Sequence, residues 1–235
     1  MNRILILLSL LAVAIPAESA DPTPAFTRTI YLIRHGAYDT EAKAPEETGA
    51  SLTPLGIAQA RLIAARMRGM PEHFDFIASS TMTRARETAA VIHEMLPDVE
   101  TQQSQLLSEC TPPTRNERVA QKLKPGEADA CAKQLNQAFR EYFIPAKGAK
   151  RHELLICHGN VIRYFVTRAL GVDTAAWLDM SVAHTSLTVI RVVGDGSYKV
   201  LSVGDVGHLP PNLQSGTSSS DPELRLPSNS HANTH

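Results

Sequence analysis

The sequence predicts an α/β fold, a three-layer sandwich in which a mostly parallel sheet carries helices on both faces. Three observations lead there. Short β-branched and apolar runs at residues 29–33, 74–78 and 154–157 alternate with longer stretches of helical period. Strand–helix alternation of this kind is what a parallel sheet with crossover helices requires. A chain of 235 residues, 43% hydrophobic and 20% charged, has the apolar content for one packed domain.

Taken in order, residues 29–33 (Thr-Ile-Tyr-Leu-Ile) read as a buried strand. Residues 39–51 are polar, contain Pro45 and Gly49, and read as a loop. Thr53-Pro54 opens a helix, with threonine as the cap and proline at the first position. Leu55, Ala58, Leu62 and Ala65 follow its period, and Gly69 ends it. Residues 74–78 form a second strand, followed by a Ser79-Ser80-Thr81 turn. A helix then runs over about 83–96, with Ala85, Ala89, Ile92 and Leu96 on one face, until Pro97. Pro112, Pro113, Pro125 and Gly126 make 108–127 irregular, and a helix over about 127–143 follows. Residues 154–157 are the third strand, and 161–170 a helix closed by Gly171. Residues 187–193 and 199–203 are two more strands joined by Gly194-Asp195-Gly196.

The ends of the chain differ in composition. Met1-Asn2-Arg3, an apolar run over 4–15 and small residues at 17–20 have the layout of a signal peptide (1–20) followed by a linker (21–28). That layout implies a periplasmic or secreted protein; an uncleaved N-terminal anchor is the alternative. From about Pro210 the composition turns to Ser, Asn, Pro and Thr, so the domain is bounded at 29–211 and 212–235 reads as a disordered tail. No apolar run has the roughly 18–20 residues of a membrane span. With 23 basic and 24 acidic residues there is no cationic excess to mark a nucleic-acid partner. Cys110, Cys131 and Cys157 are too few for a disulfide scaffold, and spacing does not decide whether Cys110 and Cys131 are bridged. No Cys/His or Asp/His spacing marks a metal site, and no cofactor is expected.

Ligands of open α/β sheets gather at the carboxyl ends of strands. Here the first strand runs into Arg34-His35-Gly36, the second through Ser79-Ser80 to Arg84, and the third into His158-Gly159-Asn160. Two histidines and two arginines thus converge on one edge if the sheet is parallel. Helix starts favour anions, and guanidinium groups match phosphate oxygens. A neutral imidazole is a nucleophile toward phosphorus. The set describes a phosphate pocket.

Four segments carry a resemblance: Ile33-Arg34-His35-Gly36, Leu52-Thr53-Pro54-Leu55-Gly56 with Gln59-Ala60, Ser79-Ser80-Thr81-Met82-Thr83-Arg84-Ala85 with Glu87-Thr88, and Cys157-His158-Gly159-Asn160-Val161-Ile162-Arg163-Tyr164. Together they resemble the histidine phosphatase (phosphoglycerate mutase-like) superfamily. They look most like its mitochondrial mutase-like Ser/Thr protein phosphatase branch, over about residues 29–211. The resemblance implies that His35 is the nucleophile that becomes a phosphohistidine, and that Arg34, Arg84 and His158 complete the phosphate-binding quartet. It also implies that Glu109 is the proton donor. Gly159 stands where the acid phosphatase and phytase branch has an Asp. Residues 21–28 lack the Trp- and Asp-rich assembly segment of the mitochondrial branch, which points to a monomer or small homo-oligomer. Ala183-His184-Thr185-Ser186 replaces an Asn-Gly-Ser stretch, leaving His184 either a pocket residue or, as favoured here, a structural one.

The resulting expectation is an extracytoplasmic, metal-independent phosphomonoesterase acting through phosphohistidine on a phosphorylated small molecule, glycan or phosphoprotein. Its rivals are a phosphomutase and a non-catalytic phosphate-binding module, which release of inorganic phosphate separates from it.

Overall fold

A computed structural model describes residues 25–45 and 47–217. The segment read as a signal peptide, the linker up to residue 24 and the tail from 218 lie outside the described residues. In chain order the elements are β1 (Ala25–Phe26), β2 (Arg28–Arg34), α1 (Pro54–Arg68), β3 (Phe76–Ser80), α2 (Thr83–Met95), β4 (Glu100–Ser104), α3 (Glu117–Ala120), α4 (Glu127–Tyr142), β5 (Ala146–Lys147), β6 (Arg151–Cys157), α5 (Gly159–Leu170), β7 (Leu187–Val192) and β8 (Tyr198–Asp205).

Six strands form one sheet in the order β4-β3-β6-β2-β7-β8, and β1 pairs only with β5. The first four run parallel, while β7 and β8 are antiparallel additions beside β2. Side chains alternate across a strand, and β2 uses both faces. Ile30 and Leu32 pack with Leu135, Phe139, Val161 and Phe165 of α4 and α5. Tyr31 and Ile33 pack with Ile63, Met67, Ala85 and Ile92 of α1 and α2. Burial on both faces is why the strand is continuously apolar.

α1 begins as its sequence dictates: Thr53 Oγ1 accepts the Gly56 N–H at 3.2 Å, and Pro54 occupies the first turn, where its missing N–H costs nothing. Gly171, at φ +67°, ends α5 in the left-handed conformation that glycine adopts freely. Three features depart from the sequence reading. β3 starts two residues later and takes in Ser79 and Ser80, which pair with Gln103 and Ser104. β4 and α3 were not anticipated; β4 is the polar run Glu-Thr-Gln-Gln-Ser on an exposed edge, with no apolar alternation to reveal it. Residues 213–216, assigned to the tail by composition, pack back on the domain through Gln59, His184 and Arg34.

Candidate active site

The parallel strands bring their carboxyl ends to one edge. Arg34 lies in register with Cys157, so the residues that follow, His35 and His158, emerge side by side with ring centroids 5.0 Å apart. The His35 N–H donates to Cys157 O at 3.0 Å, which fixes the backbone beneath the ring. Both rings are buried.

His35 has one tautomer available. Its Nδ1 lies 2.8 Å from Gly36 O, a pure acceptor, so Nδ1 carries the proton. Nε2 therefore keeps its lone pair, and Arg84 Nε donates to it at 3.1 Å. Burial, then the neighbouring His158, Arg34 and Arg84, hold the His35 pKa well below the usual histidine range. The ring is neutral at pH 7. Burial, followed by Arg84 and Arg34, lowers His158 in the same way.

Arg84 is the second residue of α2, and its guanidinium also stacks 4.7 Å from the Tyr38 ring centre. One hydroxyl ties it to the turn after His35: Thr88 Oγ1 accepts the Gly36 N–H at 3.0 Å and donates to Arg84 O at 2.7 Å. Close packing demands glycine in this turn, since a Cβ at Gly36 would stand 2.5 Å from Gly56 O, and one at Gly56 1.9 Å from Ala37 O. Arg34 donates through Nη1 to Val182 O and Gly216 O. Burial draws its pKa down to about 10, which leaves it charged at neutral pH. His158 is the residue before α5; its Nε2 lies 2.8 Å from Ser80 Oγ, and its Nδ1 has no hydrogen-bond partner among the described residues.

Glu109 follows the Gln105–Leu107 turn and reaches the same cluster. Burial pushes its pKa up to about 7, although Arg34, Arg84, Arg163 and the Asn160 N–H pull the other way. Desolvation thus outweighs three nearby cations, and the carboxyl titrates near neutrality. Its loop is held by a Cys110–Cys131 disulfide, the bridge that spacing left open, and by Asn160 Nδ2 donating to Cys110 O at 3.0 Å. Cys157 is free and buried.

All five residues named from the sequence, Arg34, His35, Arg84, Glu109 and His158, therefore share one site. Sequence reasoning assigned no role to Tyr38, Gln59, Ser80, Thr88 or Arg163, which line or brace it. Gln59, Thr88 and Arg163 stood inside the quoted motifs, which was a signal. Ser80 stood inside a quoted motif as well, whereas Tyr38 carried no signal beyond its neighbours. Among the described residues, no group of three or more His, Cys, Asp and Glu side chains could hold a metal ion.

A sequence profile described as "Histidine phosphatase superfamily (branch 1)" matches residues 30–205. The chain belongs to this superfamily. It is 41% identical over 199 residues to the mitochondrial serine/threonine-protein phosphatase Pgam5 of Caenorhabditis elegans, covering 81% of this chain and 67% of that protein. To the human mitochondrial protein of the same name it is 35% identical over 190 residues, covering 79% and 65%. Among solved structures it resembles the phosphoglycerate mutase of Plasmodium falciparum, with a TM-score of 0.56 and 28% identity over 79% of this chain and 95% of that one. A mycobacterial glucosyl-3-phosphoglycerate phosphatase, at 18% identity and TM-score 0.56 over 76% and 99%, shares the fold. The histidine phosphatase fold and enzyme class expected from the motifs are those found.

One expectation is overturned. The periplasmic or secreted location inferred from residues 1–20 is withdrawn, because the relatives at 35–41% identity are mitochondrial proteins by name. A short apolar run after a single arginine does not specify which membrane system reads it, which is why the inference failed. Among the described residues, no helix is long and apolar enough to cross a membrane.

Proposed function

We propose that this histidine phosphatase hydrolyses phosphate monoesters of alcohols through a phosphohistidine on His35. The observation that carries this is the state of His35: Nδ1–H is committed to Gly36 O, and the Nε2 lone pair is flanked by Arg84. Nε2 attacks phosphorus, the N–P bond forms, and the P–O bond to the leaving alcohol breaks. Arg34, Arg84 and His158 hold the non-bridging oxygens, the positioning and charge stabilisation that dominate phosphoryl transfer.

Glu109 supplies the proton to the departing alkoxide. As carboxylate it then takes one from water, whose oxygen attacks phosphorus as the N–P bond breaks, giving inorganic phosphate and free His35. A carboxyl titrating near 7 suits both half-reactions. The side-chain cations supply the charge, so no metal takes part. Relatives named serine/threonine-protein phosphatases support phosphoserine and phosphothreonine side chains as the first substrates to try.

The test is a quenched reaction with labelled substrate at neutral pH. It should trap an acid-labile, base-stable label on His35 and release inorganic phosphate. A label on serine or cysteine overturns the mechanism, and return of the phosphoryl group to substrate without phosphate release makes the protein a mutase.

A further inference from the structure

Resting on the phosphate pocket proposed above, we infer that His184 is a further substrate-binding residue, a neutral donor whose Nε2–H is given to a phosphoryl oxygen, and that Gln59 and Ser215 position it.

The proton positions follow from a chain of hydrogen bonds. Ala37 N–H needs an acceptor and finds Gln59 Oε1 at 2.8 Å, which fixes the orientation of that buried amide. Gln59 Nε2 is then the donor, and it gives its hydrogens to Leu213 O at 2.7 Å and Ser215 Oγ at 2.9 Å. Ser215 Oγ accepts from Gln59, and giving its own O–H to its other neighbour, His184 Nδ1 at 2.9 Å, leaves that hydrogen paired. His184 Nδ1 accepts, so the neutral ring carries its proton on Nε2.

That Nε2 is buried and has no hydrogen-bond partner among the described residues. The residue is 9% exposed, and its ring centre lies 5.4 Å from that of His35 and 6.1 Å from that of Tyr38. A buried donor without an acceptor is costly, by roughly the desolvation of the group. Here it sits beside the nucleophile, where a phosphoryl oxygen arrives. Burial, followed by Arg34 and Arg84, takes the His184 pKa down to about 3, so the donor stays neutral throughout the working range.

The ring is also held in place from two sides. Gly216, at φ +73°, lies flat on it: a Cβ there would stand 2.4 Å from Nδ1 and 2.5 Å from Cε1. The next residue, Thr185, is the one non-glycine residue with positive φ among those described, at 53°. Such a conformation in a β-branched residue persists only where the surroundings enforce it. Its N–H donates to Arg34 O at 3.0 Å, and the His184 N–H to Ser215 O at 2.9 Å.

The experiment measures inorganic phosphate binding by calorimetry, together with imidazole 15N spectra, for the unsubstituted protein and for His184→Leu, His184→Gln and Ser215→Ala. The Leu variant should bind phosphate about tenfold to a hundredfold more weakly, as for loss of a hydrogen bond to a charged group. The Gln variant, which keeps a side-chain N–H, should recover part of it. Ser215→Ala should leave His184 as a mixture of tautomers and lose less affinity than His184→Leu.

In the unsubstituted protein, His184 should carry its proton on Nε2, and that resonance should move on adding phosphate. Equal affinity in the Leu variant overturns the assignment, as does equal loss in the Leu and Gln variants. If the Leu variant does not fold, an Nδ1-protonated ring or a resonance indifferent to phosphate overturns it on the unsubstituted protein alone. The unsubstituted protein separates the two claims. Phosphate bound through His184 without a phosphohistidine breaks the reaction proposed above and leaves this donor standing. A labelled His35 with a silent His184 does the reverse.

Discussion

His35 and Glu109 reach the same site from two kinds of scaffold. His35 leaves β2 in the middle of the sheet, with a parallel neighbour on one side, an antiparallel one on the other and a backbone hydrogen bond to Cys157 under its ring. Glu109 stands in an irregular stretch after the edge strand β4, held by a disulfide and an asparagine side chain. Sheet register fixes the first, and a cross-link fixes the second. In the proposed reaction the group that bonds to phosphorus tolerates little displacement, whereas the proton donor would serve leaving groups and water in turn.

The largest effect tests the sheet-held half. His35→Ala should abolish the covalent label and lower turnover by about a thousandfold or more, the range seen when a nucleophile is removed; retained turnover would place the nucleophile elsewhere. The loop-held half should show substrate-dependent losses. Glu109→Gln should slow the burst with alkyl phosphates by roughly a hundredfold. The burst with nitrophenyl phosphate, whose phenolate leaves unaided, should change far less. Equal losses with both would remove Glu109 from the proton-donor role.

The pair Cys110→Ser with Cys131→Ser opens a loop spanning a sequence separation of 21. Unfolding free energy should fall by about 3 kcal/mol, measured by urea titration. Alkyl phosphate turnover should fall by less than in Glu109→Gln, and labelling of His35 by nitrophenyl phosphate should persist. Loss of that labelling would mean that the two halves are not independent.

The smallest effects are in pH. With Glu109 titrating at about 7, the alkyl phosphate burst should drop about fivefold from pH 7 to 8 as the acid form is lost; a flat profile would assign the donor to another group. Stability should show opposite trends from the two halves. Glu109 is raised from 4.5 to about 7, so its contribution is full below 4.5 and lost as pH rises through about 7. His35 and His158 are depressed, so theirs is present above 6.5 and lost as pH falls. Urea midpoints of Glu109→Gln across that range should isolate the first trend.

Much of the site was legible because its residues sit at element boundaries. Strand ends and helix starts have strong local signals, so Arg34, His35, Arg84 and His158 could be placed together from alternation alone. Glu109 could be named only through resemblance, since nothing in its irregular surroundings fixes its direction. β4 was hidden because an exposed edge strand needs no apolar face. Ser215 and Gly216 were hidden for a related reason: small polar residues read as tail whether or not they dock, and their docking rests on partners as distant in sequence as Gln59. The location inferred from the first residues failed because it read an address, not a fold.

The hydroxyl of Thr88 uses both of its ends, one on the turn after His35 and one on the helix that carries Arg84. The start of α2 and the turn after His35 are therefore tied through a single side chain. In the reaction proposed above, a substrate would meet a preset spacing between His35 Nε2 and the Arg84 guanidinium. The pocket therefore needs no internal search to bring the two side chains to their 3.1 Å separation.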